Sequence, residues 1–101
     1  MKHADIDYQE DKFIVSGDLH FSNVMAIYKK SSKNLSKNPV LEFDFSNVRS
    51  SDSAGIALII EWIKFAKLTN KEIYFHSLSS DILQLARAAG LEKFIVETFI
   101  A

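Results

Sequence analysis

The sequence predicts a single α/β domain over residues 1–101, built as a mixed β-sheet with helices mainly on one face. Three observations predict it. Segments of period-2 hydrophobicity alternate with segments of period 3.6. The first two strand-like segments are joined by a tight turn, and the later ones by helical segments long enough for crossovers. A chain of 101 residues, 48% of them hydrophobic, has material for one core and little for linkers, with one proline and three glycines.

Residues 5–8 and 12–18 read as strands, with Gln9-Glu10-Asp11 as the turn. Phe13 and Val15 alternate with Ile14 and Ser16, and Gly17-Asp18 closes the second strand. From Phe21 the period changes. Val24, Ile27, Tyr28 and Leu35 form the apolar stripe of an amphipathic helix, which Ser22 or Asn23 is placed to cap. Lys29, Lys30, Lys33 and Lys37 fall mostly on its other side, a solvated face. Asn38-Pro39 punctuates the chain before a third strand, Val40–Phe45. There Leu41, Phe43 and Phe45 point one way, and Val40, Glu42 and Asp44 the other.

A second helix is expected from Ala54 to about Leu68, stopped by Thr69-Asn70. Ile73 and Phe75 then alternate with Glu72, Tyr74 and His76 in a fourth strand. The third helical segment, Asp81–Ala89, carries Ile82, Leu85, Ala86 and Ala89 on one face. Ser79 or Ser80 supplies its cap, and Gly90 sits at the left-handed stop position. Phe94 to Phe99 is a weaker terminal element, either a short strand or a helix turn. Residues 40–76 should form a right-handed crossover between parallel strands, and the first two strands should be antiparallel. The core is expected to join Leu41, Phe43, Phe45, Ile73 and Phe75 to Ile59, Ile63, Ile82 and Leu85.

Several function classes are excluded. A formal net charge of −1 gives no field to draw the chain onto nucleic acid or anionic lipid. The absence of cysteine removes disulfides and thiolate metal sites. The longest apolar run, Ala54 to Ile60, ends at Glu61 and is too short to span a bilayer, so direct membrane insertion is not expected. The start of the chain has no signal-peptide pattern, and a cytoplasmic protein is expected. His3, His20 and His76 offer no metal-ligand spacing, and there is no phosphate loop or nucleophile elbow. Neither enzymatic activity, nor a cofactor, nor a metal is expected.

One local feature stands above background: Ser50-Ser51-Asp52-Ser53-Ala54-Gly55-Ile56, at a strand exit and helix start. Partners of open α/β sheets gather at strand carboxyl ends. A hydroxyl there can be read by a partner or phosphorylated; equally, Asp52 or Ser53 can simply cap the helix.

At these residues the chain resembles the STAS family, the fold of sulfate-transporter cytoplasmic domains and bacterial anti-sigma-factor antagonists. The matching residues are Leu41-Glu42-Phe43-Asp44-Phe45-Ser46-Asn47-Val48 and Asp52-Ser53-Ala54-Gly55-Ile56-Ala57-Leu58. Gly17-Asp18-Leu19 and Ala88-Ala89-Gly90-Leu91 add support. The resemblance implies two alternatives. In the antagonist branch, a partner serine kinase phosphorylates the hydroxyl after the aspartate, here Ser53, although Ala54 stands where many antagonists carry a second serine. In the MlaB-type branch, a small STAS subunit binds the ATPase of a bacterial phospholipid-trafficking ABC transporter. It would then lie in the cytoplasm, peripheral to the inner membrane through that partner.

The second helix bears on the choice. Ile56, Ile59, Ile60, Ile63 and Ala66 form one stripe, expected to face the sheet. Leu58, Trp62 and Phe65 form another, roughly 130° away. Either the second stripe packs on neighbouring helices, or it is an exposed partner-binding patch anchored by Trp62. The apolar run Gly55-Ile56-Ala57-Leu58-Ile59-Ile60 is similar to the transporter branch, which is therefore favoured. The partner-binding residues expected are Asp52, Ser53, Ala54, Gly55, Leu58, Trp62 and Phe65.

Overall fold

The computed structural model describes residues 3–96. In chain order these form β1 (Ala4–Gln9), β2 (Lys12–Leu19), α1 (Val24–Ser31), β3 (Val40–Ser51), α2 (Ser53–Leu68), β4 (Glu72–His76) and α3 (Ser80–Ala88). A single 3-10 turn at Glu92–Phe94 leads into a two-residue β5, Ile95–Val96. Of the weak terminal element expected at Phe94–Phe99, Phe94 closes the 3-10 turn and Ile95–Val96 form the strand, and the rest lies outside the described residues.

The five strands lie in the order β1-β2-β3-β4-β5, β1 antiparallel to β2 and every later pair parallel. Three successive helical crossovers each step to the next strand in the same direction. Right-handed crossovers that all step one way must all pass over the same face. Burial along the strands agrees: Ile6, Phe13, Val15, Leu41, Phe43, Phe45, Ile73 and Phe75 are buried, while Asp5, Asp7, Glu42, Asp44, Glu72 and His76 lie on the wetter side. The mixed sheet with helices on one face is therefore as expected.

β3 runs to Ser51, six residues beyond the expected end at Phe45. The pairing of β2 with β3 shifts register twice, between Ile14 and Ser16 and between Gly17 and Asp18. Each shift places an additional β3 residue against β2, and a bulge of this kind interrupts the period-2 pattern that marks a strand. Gly17 is needed beside the second shift. Its φ is +88°, and an added Cβ would lie 2.1 Å from the carbonyl oxygen of His3.

α2 lies in the middle of the helical row, with α1 on one side and α3 on the other. At about 100° per residue, the buried positions Ala54, Gly55, Leu58, Ile59, Trp62, Ile63 and Ala66 cover roughly half the helix circumference. This corrects the division into two stripes. Trp62 is 0% exposed and Leu58 3%, while Phe65 is half-buried and Ile60, assigned to the sheet, is exposed. The tryptophan is covered because it reaches from the sheet to α1. Its ring centroid is 4.1 Å from that of Phe43, and its Nε1 donates to Ser31 Oγ at 2.9 Å. Ser31 Oγ in turn donates to the Tyr28 carbonyl at 2.6 Å.

α3 also differs from expectation. Ile82 and Ala86 are buried, but Leu85 is 46% exposed and Ala89 is exposed. The outermost helix of a row has one flanking neighbour and buries a narrower arc. Ser79 caps it, Oγ accepting from the Ile82 N–H, and Gly90 takes φ +75°. The lysines behave as a solvated face. Lys29, Lys33 and Lys37 are exposed, and Lys30 pairs with Asp5 at 2.6 Å on the surface, holding that carboxyl below the usual range. An exposed pair of this kind adds little stability.

Phe43 is 0% exposed and its ring packs against those of Phe13, Trp62 and Phe75. Phe43→Ala is expected to cost about 3–5 kcal/mol, read from denaturant unfolding. Trp62→Glu should leave a charge unpaired in the core and abolish cooperative unfolding near room temperature, which circular dichroism would register.

Candidate functional site

The carboxyl ends of β2 and β3 and the start of α2 converge on one shelf. The two register shifts set Asp18 beside Ser50 and Leu19 beside Ser51, and the Asp52 N–H reaches back to the Leu19 carbonyl at 3.3 Å. Asp52 is in extended conformation, and its Oδ1 accepts from the Ala54 N–H at 2.8 Å. That is an N-cap, so Asp52 starts the helix and leaves Ser53 exposed at its first position. Ala54 and Gly55 are buried beneath, within the packing of the shelf instead of on its surface.

Gly55 permits this close seating. An added Cβ would meet Ser51 Oγ at 2.0 Å and Ser51 Cβ at 3.2 Å, and Ser51 Oγ is already engaged with the Asp52 carbonyl at 2.8 Å. The helix therefore sits against the strand end from which it departs.

Asp18 organises the neighbouring edge. Its carboxylate accepts from Ser50 Oγ at 2.7 Å and from Arg49 Nη2 at 3.1 Å. Its backbone carbonyl accepts from Asn23 Nδ2 at 2.9 Å, while Asn23 Oδ1 accepts from the His20 N–H at 2.9 Å. Asn23 thus clasps the β2–α1 loop and does not cap α1 with its side chain, as the sequence had suggested for Ser22 or Asn23. His20 faces the helix cap, its Nε2 3.5 Å from Asp52 Oδ2, and its Nδ1 lies 3.3 Å from Ser22 Oγ.

Beside this shelf the surface is apolar. Phe21 is 69% exposed and Met25 70%. Met25 also borders a groove of about 320 Å³ between α1 and α2, lined with Val24, Tyr28, Ala57, Leu58 and Glu61. Burial, helped by the Glu61 carboxylate, holds the Tyr28 hydroxyl above its ordinary pKa. Ala57 follows Ser53 by one helical turn, so groove and shelf are contiguous.

Of the residues expected to bind a partner, Asp52 and Ser53 are accessible at the shelf and Leu58 contributes only an edge to the groove. Trp62 lies in the core, and Phe65 is half-buried along α2. Sequence reasoning passed over Asp18, His20 and Asn23 as site members, and Phe21 and Met25 as exposed surface. A histidine and an asparagine in a short loop give no periodic signal, and only the register shifts bring that loop to Asp52. Among the described residues, no group of His, Asp or Glu is arranged to hold a metal ion, and no helix is long and apolar enough to cross a membrane.

A family model described as Mlab, STAS domain, matches residues 3–97. In fold, the chain is similar to the unphosphorylated anti-sigma factor antagonist SpoIIAA, with a TM-score of 0.75 at 14% identity, covering 96% of this chain and 89% of that one. The phosphorylated form of the Bacillus cell fate determinant SpoIIAA gives 0.72 at 14% identity, covering 98% and 92%. An anti-sigma factor antagonist from Mycobacterium paratuberculosis gives 0.72 at 15% identity, covering 99% and 87%. The chain belongs to the STAS domain family, as its sequence motifs had indicated.

The seating of Gly55 generates a double-mutant test. Gly55→Ala gains helix propensity of up to about 1 kcal/mol but must displace the Ser51 hydroxyl. It should destabilise the parent and be at least about 1 kcal/mol less harmful in a Ser51→Ala background, measured by paired denaturant melts.

Proposed function

We propose that the Ser53 end of this STAS domain is a protein-docking surface, and that the chain is a non-catalytic subunit supporting the ATPase of a phospholipid-trafficking ABC transporter. The observation that carries the docking surface is the exposure of Phe21 and Met25 beside the α1–α2 groove, contiguous with Ser53. Large exposed apolar side chains around a cleft are the usual composition of a contact patch. The transporter assignment is supported by the Mlab description of the matching family model and by the apolar run Gly55–Ile60 at the start of α2.

The subunit would act by binding one conformation of the ATPase more tightly than others, without contributing groups to nucleotide chemistry. It would lie in the cytoplasm, held near the inner membrane through that partner. A second reading has its own support. Ser53 is exposed at a capped helix start, and the chain shares its fold with SpoIIAA, solved in both phosphorylated and unphosphorylated forms. In that reading Ser53 is phosphorylated by a serine kinase of the anti-sigma type, and the phosphate weakens binding.

The test is a set of paired measurements. Met25→Glu should change the stability of the free domain by no more than about 0.5 kcal/mol, as exposed positions usually do. It should weaken association with the proposed partner, a transporter ATPase of this class, by at least about 2 kcal/mol in a calorimetric titration. Ser53→Glu should leave the fold intact, because a helix N-terminus tolerates negative charge, yet reduce the same affinity. A stable Met25→Glu that binds normally removes this surface from the interface. Binding to a serine kinase, with none to the ATPase, decides for the second reading.

A further inference from the structure

The β2–α1 loop touches the Ser53 segment through one side chain in particular. The Ser22 N–H approaches His20 Nδ1 at 3.4 Å, and the other ring nitrogen, Nε2, faces Asp52 Oδ2 at 3.5 Å. That separation is long for a hydrogen bond, so the contact is weak and open to competition. The other oxygen of Asp52 is committed to the Ala54 N–H, and on the neighbouring strand end Arg49 pairs with Asp18. The charged group facing the ring is thus Asp52, from the β3–α2 junction, while the Asp18–Arg49 pair sits on the adjoining ends of β2 and β3. The His20 backbone is fixed to the first turn of α1. Its N–H donates to Asn23 Oδ1, and its carbonyl accepts from the Asn23 and Val24 N–H groups at 3.0 and 3.1 Å. Phe21 follows His20 directly, and Met25 lies one turn on.

We propose that His20 is a positioning residue that answers a phosphoryl group on Ser53 and transmits it to the Phe21–Met25 surface. The inference rests on the second reading above, in which Ser53 is modified. A phosphoserine there adds about −1.5 to −2 charges next to Asp52. The imidazole, charged by uptake of a proton, then turns from its weak contact with Asp52 to the stronger acceptor. Phe21 is the next residue of the same loop, so a displacement of His20 large enough to loosen the Asn23 clasp reaches it. Modification would so reach the apolar docking surface without any change in the core.

The test uses the full chain with phosphoserine installed at position 53 during synthesis, so it does not depend on any cellular kinase. A cation beside a phosphate favours the dianion and lowers its second ionisation. By phosphorus NMR, the phosphoserine of the parent should titrate at least about 0.5 pH unit below that of His20→Gln. His20→Arg, with a permanent charge, should restore the lower midpoint. In parallel, the amide resonances of Phe21 and Met25 should shift on phosphorylation in the parent and clearly less in His20→Gln. A common midpoint in parent and His20→Gln, or a His20→Arg midpoint no lower than that of His20→Gln, overturns the proposal. Failure of the installed phosphate to alter partner binding would instead sink the reading of Ser53 as a switch.

Discussion

The hydrogen bond from Trp62 to Ser31, with the indole wedged over Phe43, is the constraint on which the arrangement of the helices depends. An indole is large enough to span from the sheet to the neighbouring helix, and when buried its N–H requires an acceptor. Ser31 provides that acceptor at the end of α1, and its own hydroxyl donates a hydrogen bond to the Tyr28 carbonyl. The contact thus fixes the lateral spacing of α1 and α2 as well as the height of α2 above the sheet. It also satisfies an otherwise unpaired polar group in the centre of the core.

From that spacing the surface follows. With Trp62 filling the lower part of the α1–α2 interface, Tyr28, Ala57 and Leu58 meet above it as a shallow groove. Meanwhile Asp52 sets where α2 begins, and Gly55 lets it begin directly on the strand end. The shelf with Ser53 and the Ala57–Leu58 wall of the groove therefore both stand on α2 as it is seated on β3. The loop between them is held by Asn23 and His20.

Much of this was legible in the sequence, and what was not has specific physical causes. The strands with clean alternation, Leu41 to Phe45 and Ile73 to Phe75, and the Ser79 and Gly90 signals bounding α3 gave their elements directly. The extension of β3 was hidden because its bulges break the alternation that reveals a strand. The orientation of α2 was misjudged for a different reason. A helix flanked on both sides buries about half its circumference, and a hydrophobic pattern that wide has no unique centre, so Trp62 looked spare. Conversely, Leu85 looked internal because its period matched, while α3 lies at the end of the row. The shelf itself was readable at Asp52 and Ser53. The loop residues opposite were not, since nothing in a linear pattern says which loop a crossover returns to.

The two register shifts in β3 also have a consequence for how this protein can change over evolutionary time. Below them, β2 and β3 pair in alternation, and a one-residue slip would turn the aromatic core outward. From the first shift onward the strand departs from alternation, so residues 46–51 are not bound to that rule. The bulges act as an expansion joint: sequence drift on the far side is not transmitted to the core. A lineage could remodel that end of the domain while inheriting the scaffold unchanged.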